Sequence, residues 1–149
     1  MDKKQLIKLI KETLIELKLY TPEALQLVLG TIAQESALGK YIEQIKGPAK
    51  GICQMEPATY DDIWDNYLFY KPSLSDAILK LCVTGDEAEE MTWNLKLSIA
   101  MCRVYYLRDK EPIPHDLVGQ AAYWKRVYNT SKGRGTIEQY INNYHKYIG

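Results

Sequence analysis

Residues 92–107 read TWNLKLSIAMCRVYYL, and this stretch decides the fold. It is the most apolar run in the chain. At helical spacing Leu95, Ile99, Cys102 and Tyr106 share one face, and Leu97, Ala100, Met101 and Val104 widen it. A helix apolar over that much of its circumference needs neighbours on several sides. The expectation is a central buried helix, with the rest of the chain supplying its cover.

The flanking sequence has the same period. Residues 2–19 place Leu6, Ile10, Leu14 and Leu17 on one stripe with lysines and glutamates opposite. Thr21-Pro22-Glu23 is a helix start: a capping hydroxyl, a proline suited to the first turn, and an acid at the positive end. Leu25, Val28, Leu29, Ile32 and Ala33 follow, interrupted by Gly30, which costs about 1 kcal/mol relative to alanine in a helix. Close backbone packing is one reason to keep it. Residues 39–56 hold Gly39, Gly47, Pro48 and Gly51 and read as a long loop with a short hairpin or single turns. Further helices are expected from Pro57, carrying Ile63 and Trp64, over residues 72–83 and over residues 116–128. Residues 84–91 form an acidic connector. Thr136 and Gln139 make a capping box for a last helix with Ile137, Tyr140, Ile141, Tyr144 and Ile148 inward. The fold class is therefore all-α, with little or no β. It is one domain over residues 1–149 with about six to eight helices, residues 1–20 packing on it as an amphipathic helix.

Composition narrows the function. Lys+Arg and Asp+Glu both number 19, so net charge is zero, against a dedicated nucleic-acid binder. Two successive helices in residues 14–36 lack a basic recognition face, which weakens a helix-turn-helix reading. Cys53, Cys82 and Cys102 are odd in number and widely spaced, so neither a disulfide framework nor a zinc site is expected. The expectation is no metal and no cofactor. The N-terminal lysines break any signal-peptide core, and no run approaches a membrane span. Synthesis in the cytoplasm without membrane insertion is expected.

Glu35 is the candidate for chemistry. It sits directly above Val28 on its helix and about 80° from the centre of the apolar stripe. That is the border between core and solvent, where partial desolvation raises a carboxyl pKa while leaving it reachable. A protonated carboxyl near neutral pH can donate to a leaving oxygen. Glu43, Asp61, Asp62 and Asp65 are weaker candidates for a second carboxylate, since each reads as a solvated charge. Most of the aromatic residues read as core. Among the tryptophans Trp64, Trp93 and Trp124, Trp64 is the best placed to offer a flat surface to a ligand.

Glu35-Ser36, a glycine-bearing loop, and Gly51-Ile52-Cys53-Gln54-Met55-Glu56-Pro57-Ala58-Thr59 together resemble the Slt-type lytic transglycosylase family of the lysozyme-like superfamily. Val127-Tyr128-Asn129 followed by Gly133 and Gly135 is similar to that family's Ala-Tyr-Asn-Ala-Gly segment, and residues 94–107 to the buried helix before it. Cys53 stands where methionine is usual, and Thr130-Ser131-Lys132 replaces the alanine leading to glycine. The resemblance implies a lysozyme-like fold and cleavage of the MurNAc–GlcNAc β-1,4 bond of peptidoglycan with a 1,6-anhydro product. It implies Glu35 as general acid then base, with Ser36, Gln54, Met55, Tyr128 and Asn129 at the substrate and the Tyr128 hydroxyl near the Glu35 carboxyl. Either Met55 or Ile52 would line the saccharide cleft. The alternatives are a muramidase hydrolysing the same bond and a non-catalytic lysozyme-fold wall-binding or virion protein. The expected partners are peptidoglycan glycan strands, and a chain of this kind suits a bacteriophage, within the virion or as a lysis enzyme.

Overall fold

Helices begin where the sequence writes their caps. Asp2, Thr21, Asn94, Asp116 and Thr136 each accept a backbone N–H of the first turn that follows. The computed structural model describes residues 1–85 and 87–149. Its helices are α1 Lys3–Glu16, α2 Pro22–Ser36, α3 Pro57–Asn66, α4 Pro72–Leu79, α5 Leu95–Leu107, α6 Leu117–Trp124 and α7 Ile137–Tyr147. The protein is mainly all-α. Extended pairing among the described residues is limited to isolated bridges of Glu43 with Lys50 and of Lys50 with Met55. Among the described residues no helix is long and apolar enough to cross a membrane.

The two apolar faces of α5 divide the core between them. Ile99, Cys102 and Tyr106 join a cluster with Leu6, Leu27, Ile32, Trp124 and Tyr140, drawn from α1, α2, α6 and α7. Leu97, Ala100, Met101 and Val104 join a second cluster with Tyr60, Ile63 and Ile78 from α3 and α4. A helix that serves two cores must be apolar on both sides, which is why its sequence looks continuous. The other core helix is α2, buried over most of its circumference from Ala24 to Ser36. Gly30 lets α7 approach it, because a Cβ there would run into the Tyr140 hydroxyl. That hydroxyl donates to Leu27 O at 3.2 Å.

Three details depart from expectation. The helix expected over residues 72–83 ends at Leu79. The segment expected as helix to residue 128 is α-helical only to Trp124, then widens into a π-turn over Lys125–Asn129. Ile137 opens α7 at its exposed end and is 38% accessible, so it does not face inward. Within the acidic connector one charge is buried. Glu90 is buried, and its carboxylate accepts from Val83 N, Thr84 N, Thr84 Oγ1 and Asn94 Nδ2 at 2.6–2.8 Å. These bonds outweigh the cost of burial and hold its pKa below the ordinary value. Asp86 of that connector lies outside the described residues.

Candidate active site

Glu35 occupies the last turn of α2, one residue before the helix ends. The chain then turns sharply: Ala37 and Leu38 both take left-handed backbone, with φ of 52° and 58°. Such conformations cost on the order of 1 kcal/mol each for residues bearing a Cβ. They persist where surrounding contacts fix them, and Ser36 supplies those contacts. Its buried hydroxyl lies 2.6 Å from the Ile52 carbonyl, to which it donates, and accepts from Gly39 N at 2.9 Å. The loop is thereby fastened to the helix end that carries Glu35.

Residues 51–55 are held from the other side as well. Gly51 has φ of +78°, and a Cβ there would strike Ser98 and the Met91 carbonyl. Only glycine meets both demands. Gln54 follows with φ of +50°, and its Nε2 donates to Gly51 O at 2.9 Å. The Tyr128 hydroxyl donates to Cys53 O at 2.6 Å. The π-turn and the loop after it are joined in turn, because Lys125 Nζ donates to Asn129 Oδ1 at 2.7 Å and to Gly133 O at 3.0 Å.

These elements enclose a cleft of about 850 Å3, with Glu35, Gln54, Met55, Tyr128 and Asn129 all in its wall. A shallower hollow of about 400 Å3 shares Thr59 and Tyr105 with it, so the depression continues past those residues. Among the described residues no cluster of three or more His, Cys, Asp or Glu is arranged to hold a metal ion.

The Glu35 carboxyl is half-buried. Burial raises its pKa from 4.5 to about 7, opposed by one hydrogen bond from the Trp124 indole N–H to Oε2 at 3.1 Å. The group therefore exchanges its proton near neutral pH, in a position open to a ligand. Neighbouring groups are less labile. Burial pushes the Cys53 thiol well up, with adjacent Cys102 and then Glu35 adding to it. Burial likewise pushes the Tyr128 hydroxyl up, with the charges of Cys102, Cys53 and Glu35 contributing.

The sequence-derived set is thus brought together with two adjustments. Ser36 is fully buried and does not line the cleft, so it positions the loop and does not touch a ligand. The Tyr128 hydroxyl is near enough to feel the charge of Glu35, yet its proton goes to the Cys53 carbonyl. Of the two apolar candidates Met55 lines the cleft, and Ile52 is buried in the first core cluster. Trp64 does not reach the cleft. It packs on the second core cluster, 6.3 Å from the Tyr60 ring, and its indole nitrogen is buried with no hydrogen-bond partner among the described residues. Trp93 is 52% exposed and stands apart from the cleft. The flat surface at the site belongs to Tyr105, whose ring lies 5.1 Å from that of Tyr128.

Glu56 is a carboxylate that the sequence does not single out, yet it is exposed on the cleft wall. The signal was present: it sits inside the Gly51–Thr59 run and precedes Pro57 without capping α3. The earlier candidates are engaged or remote. Glu43 pairs with Lys50 at 3.0 Å and Asp62 with Arg108 at 2.8 Å, while Asp61 and Asp65 are exposed residues of α3 outside the cleft wall. Trp124 is a core residue, as most of the aromatic residues are expected to be, and its role as the donor to Glu35 has no local sequence signature. No family model, curated protein or solved structure matches this chain.

Proposed function

We propose that this protein is a peptidoglycan lytic transglycosylase with a lysozyme-like fold and Glu35 as its acid and base. The observation that carries the reading is the Glu35 carboxyl itself. Its pKa is raised to about 7 by burial, and it stands in the wall of a cleft large enough for sugar rings. The motif residues Gln54, Met55, Tyr128 and Asn129 in the same wall add to it.

In this reading protonated Glu35 donates to the oxygen linking N-acetylmuramic acid to N-acetylglucosamine. The C–O bond breaks, and the substrate's own 2-acetamido group stabilises the oxocarbenium-like carbon. The Glu35 carboxylate then takes the proton of the muramoyl 6-hydroxyl, whose oxygen closes the 1,6-anhydro ring. The acid regains its proton, and no water is consumed. A pKa near 7 serves both halves, because the group must give a proton and then recover one. Tyr105 supplies a ring face for a sugar, and the amides of Gln34, Gln44 and Gln54 line the cleft for its hydroxyls and acetamido groups.

One observation favours a second reading. Glu56 gives the cleft another carboxylate, as hydrolysis by the two-carboxylate route requires. A muramidase would use it to activate water. Clearing of a purified peptidoglycan suspension, followed for wild type, Glu35→Gln and Glu56→Gln, tests both. Loss in Glu35→Gln alone fits the transglycosylase, loss in both fits the hydrolase, and no clearing by wild type counts against either enzyme.

A further inference from the structure

We propose that the cleft lip bearing Lys132 and Arg134 binds carboxylates of the acidic stem peptide carried by muramoyl residues. Peptide-bearing strands are then favoured over bare glycan. This rests on the peptidoglycan reading above and specifies which part of that polymer the site selects.

The hollow beyond Tyr105 holds Arg108 and Arg126, but each is matched. Arg108 pairs with Asp62 at 2.8 Å, and Arg126 with Asp109 at 3.1 Å. Lys50, beside the cleft loop, is matched by Glu43 at 3.0 Å and Glu89 at 3.6 Å. Lys132 and Arg134 differ. Both line the cleft, both are exposed, and neither makes an ion pair or hydrogen bond with any described residue. Lys125, bonded to the Gly133 carbonyl between them, brings a third positive charge whose partners, Asn129 Oδ1 and Gly133 O, are neutral. The same wall carries Glu35, neutral when protonated, and the exposed Glu56, so the three cations leave a local positive surplus in a chain whose net charge is zero.

A neutral sugar gives such a surplus little to do, since hydroxyl and acetamido groups are served by the glutamines of the wall. A carboxylate uses it fully. The planar guanidinium of Arg134 can grip both oxygens, and the Lys132 ammonium adds a mobile point charge. Lys125 ties the loop at Gly133 back to the π-turn, so the lip is tethered at the residue between the two cations. The stem peptide hangs from the muramoyl ring whose bond Glu35 would break, which puts its carboxylates within the cleft's neighbourhood.

The test is titration calorimetry of the full chain with three ligands: a disaccharide tetrapeptide, the same compound with its carboxyl groups amidated, and the peptide-free disaccharide. Each exposed charge contact is worth roughly two- to fivefold in affinity, so amidation should weaken binding about tenfold in the wild type. In the variant carrying Lys132→Gln and Arg134→Gln the acid and amide forms should bind alike. Equal affinity of both forms for the wild type, with the bare disaccharide still binding, would overturn the inference and leave the glycan reading standing. An acid preference surviving in the variant would also overturn it. Binding of none of the three would remove the glycan reading and the inference with it. The acid–amide comparison needs no variant, so a folding defect in the substituted protein cannot hide the answer.

Discussion

The indole N–H of Trp124, at the end of α6, reaches Oε2 of Glu35 on α2 over 3.1 Å. Two opposed influences meet at that carboxyl. Burial favours the neutral acid, and the indole donor favours the carboxylate. Burial is the larger, which leaves the pKa at about 7, where the acid and its conjugate base are both available at neutral pH.

Removing the donor should therefore raise the pKa further. In Trp124→Phe the alkaline limb of the pH profile for kcat/KM moves to higher pH, because the protonated acid survives longer. Trp124 is fully buried, so the smaller ring also costs about 1–3 kcal/mol of stability. A pH–rate series on solubilised glycan, with urea unfolding alongside, reads both effects. A limb that stays put would show that the indole does not set the proton affinity.

Glu35 should also make stability depend on pH. Its folded pKa is raised from 4.5 to about 7, so the folded chain binds more protons than the unfolded chain between those values. Its contribution is most favourable below pH 4.5 and is lost as pH rises through 7. Glu35→Gln should thus gain stability relative to wild type on going from pH 5 to pH 8. The gain is on the order of 1–2 kcal/mol once partial exposure is allowed for. Urea unfolding of both proteins at the two pH values gives the difference, and a constant difference would contradict the raised pKa.

Ser36 should prove structural. Ser36→Ala leaves the Ile52 carbonyl and the Gly39 N–H without their partner, at a cost of about 1–3 kcal/mol. Amide exchange at Gly39 should quicken, and KM should rise more than kcat falls, because the loop carrying Gln54 loosens. A collapse of kcat with KM and stability intact would return Ser36 to the ligand.

Gly30→Ala tests the seam between α2 and α7. Helix propensity alone would make alanine better by about 1 kcal/mol. The clash with the Tyr140 hydroxyl reverses the sign, and overpacking of this kind costs about 1–3 kcal/mol. A lower Tm is expected, and an unchanged or higher one would mean that Tyr140 moves aside freely.

Much of the fold was legible because helices announce themselves locally. Leu6, Ile10, Leu14 and Leu17 on the first stripe are all buried, and the Thr136–Gln139 capping box forms as written. The two apolar faces of residues 92–107 were visible, but their division between separate cores was not. That depends on which helices pack on each side. The same limit applies at the site. Glu35 at the edge of its helix and the Gly51–Thr59 run were readable as spacing. The Trp124 indole, the Ser36 clasp, the Glu90 carboxylate and the lack of an ion pair for Lys132 and Arg134 among the described residues depend on how distant segments meet, which no local pattern encodes. Trp64 misled because its position shortly after the Gly51–Thr59 run said nothing about which side of α3 it would occupy.

The central claim is that Glu35 breaks a glycosidic bond without adding water. The direct test is mass spectrometry of the fragments released from purified peptidoglycan by wild type and by Glu35→Gln. The account predicts muropeptides ending in anhydro-muramic acid, one water lighter than hydrolysis products, from the wild type and none from the variant. Reducing-end muropeptides lost in the variant would contradict the transglycosylase chemistry and move the second step to Glu56 and water. Fragments from both proteins would remove Glu35 from the chemistry, and none from either would remove the enzyme.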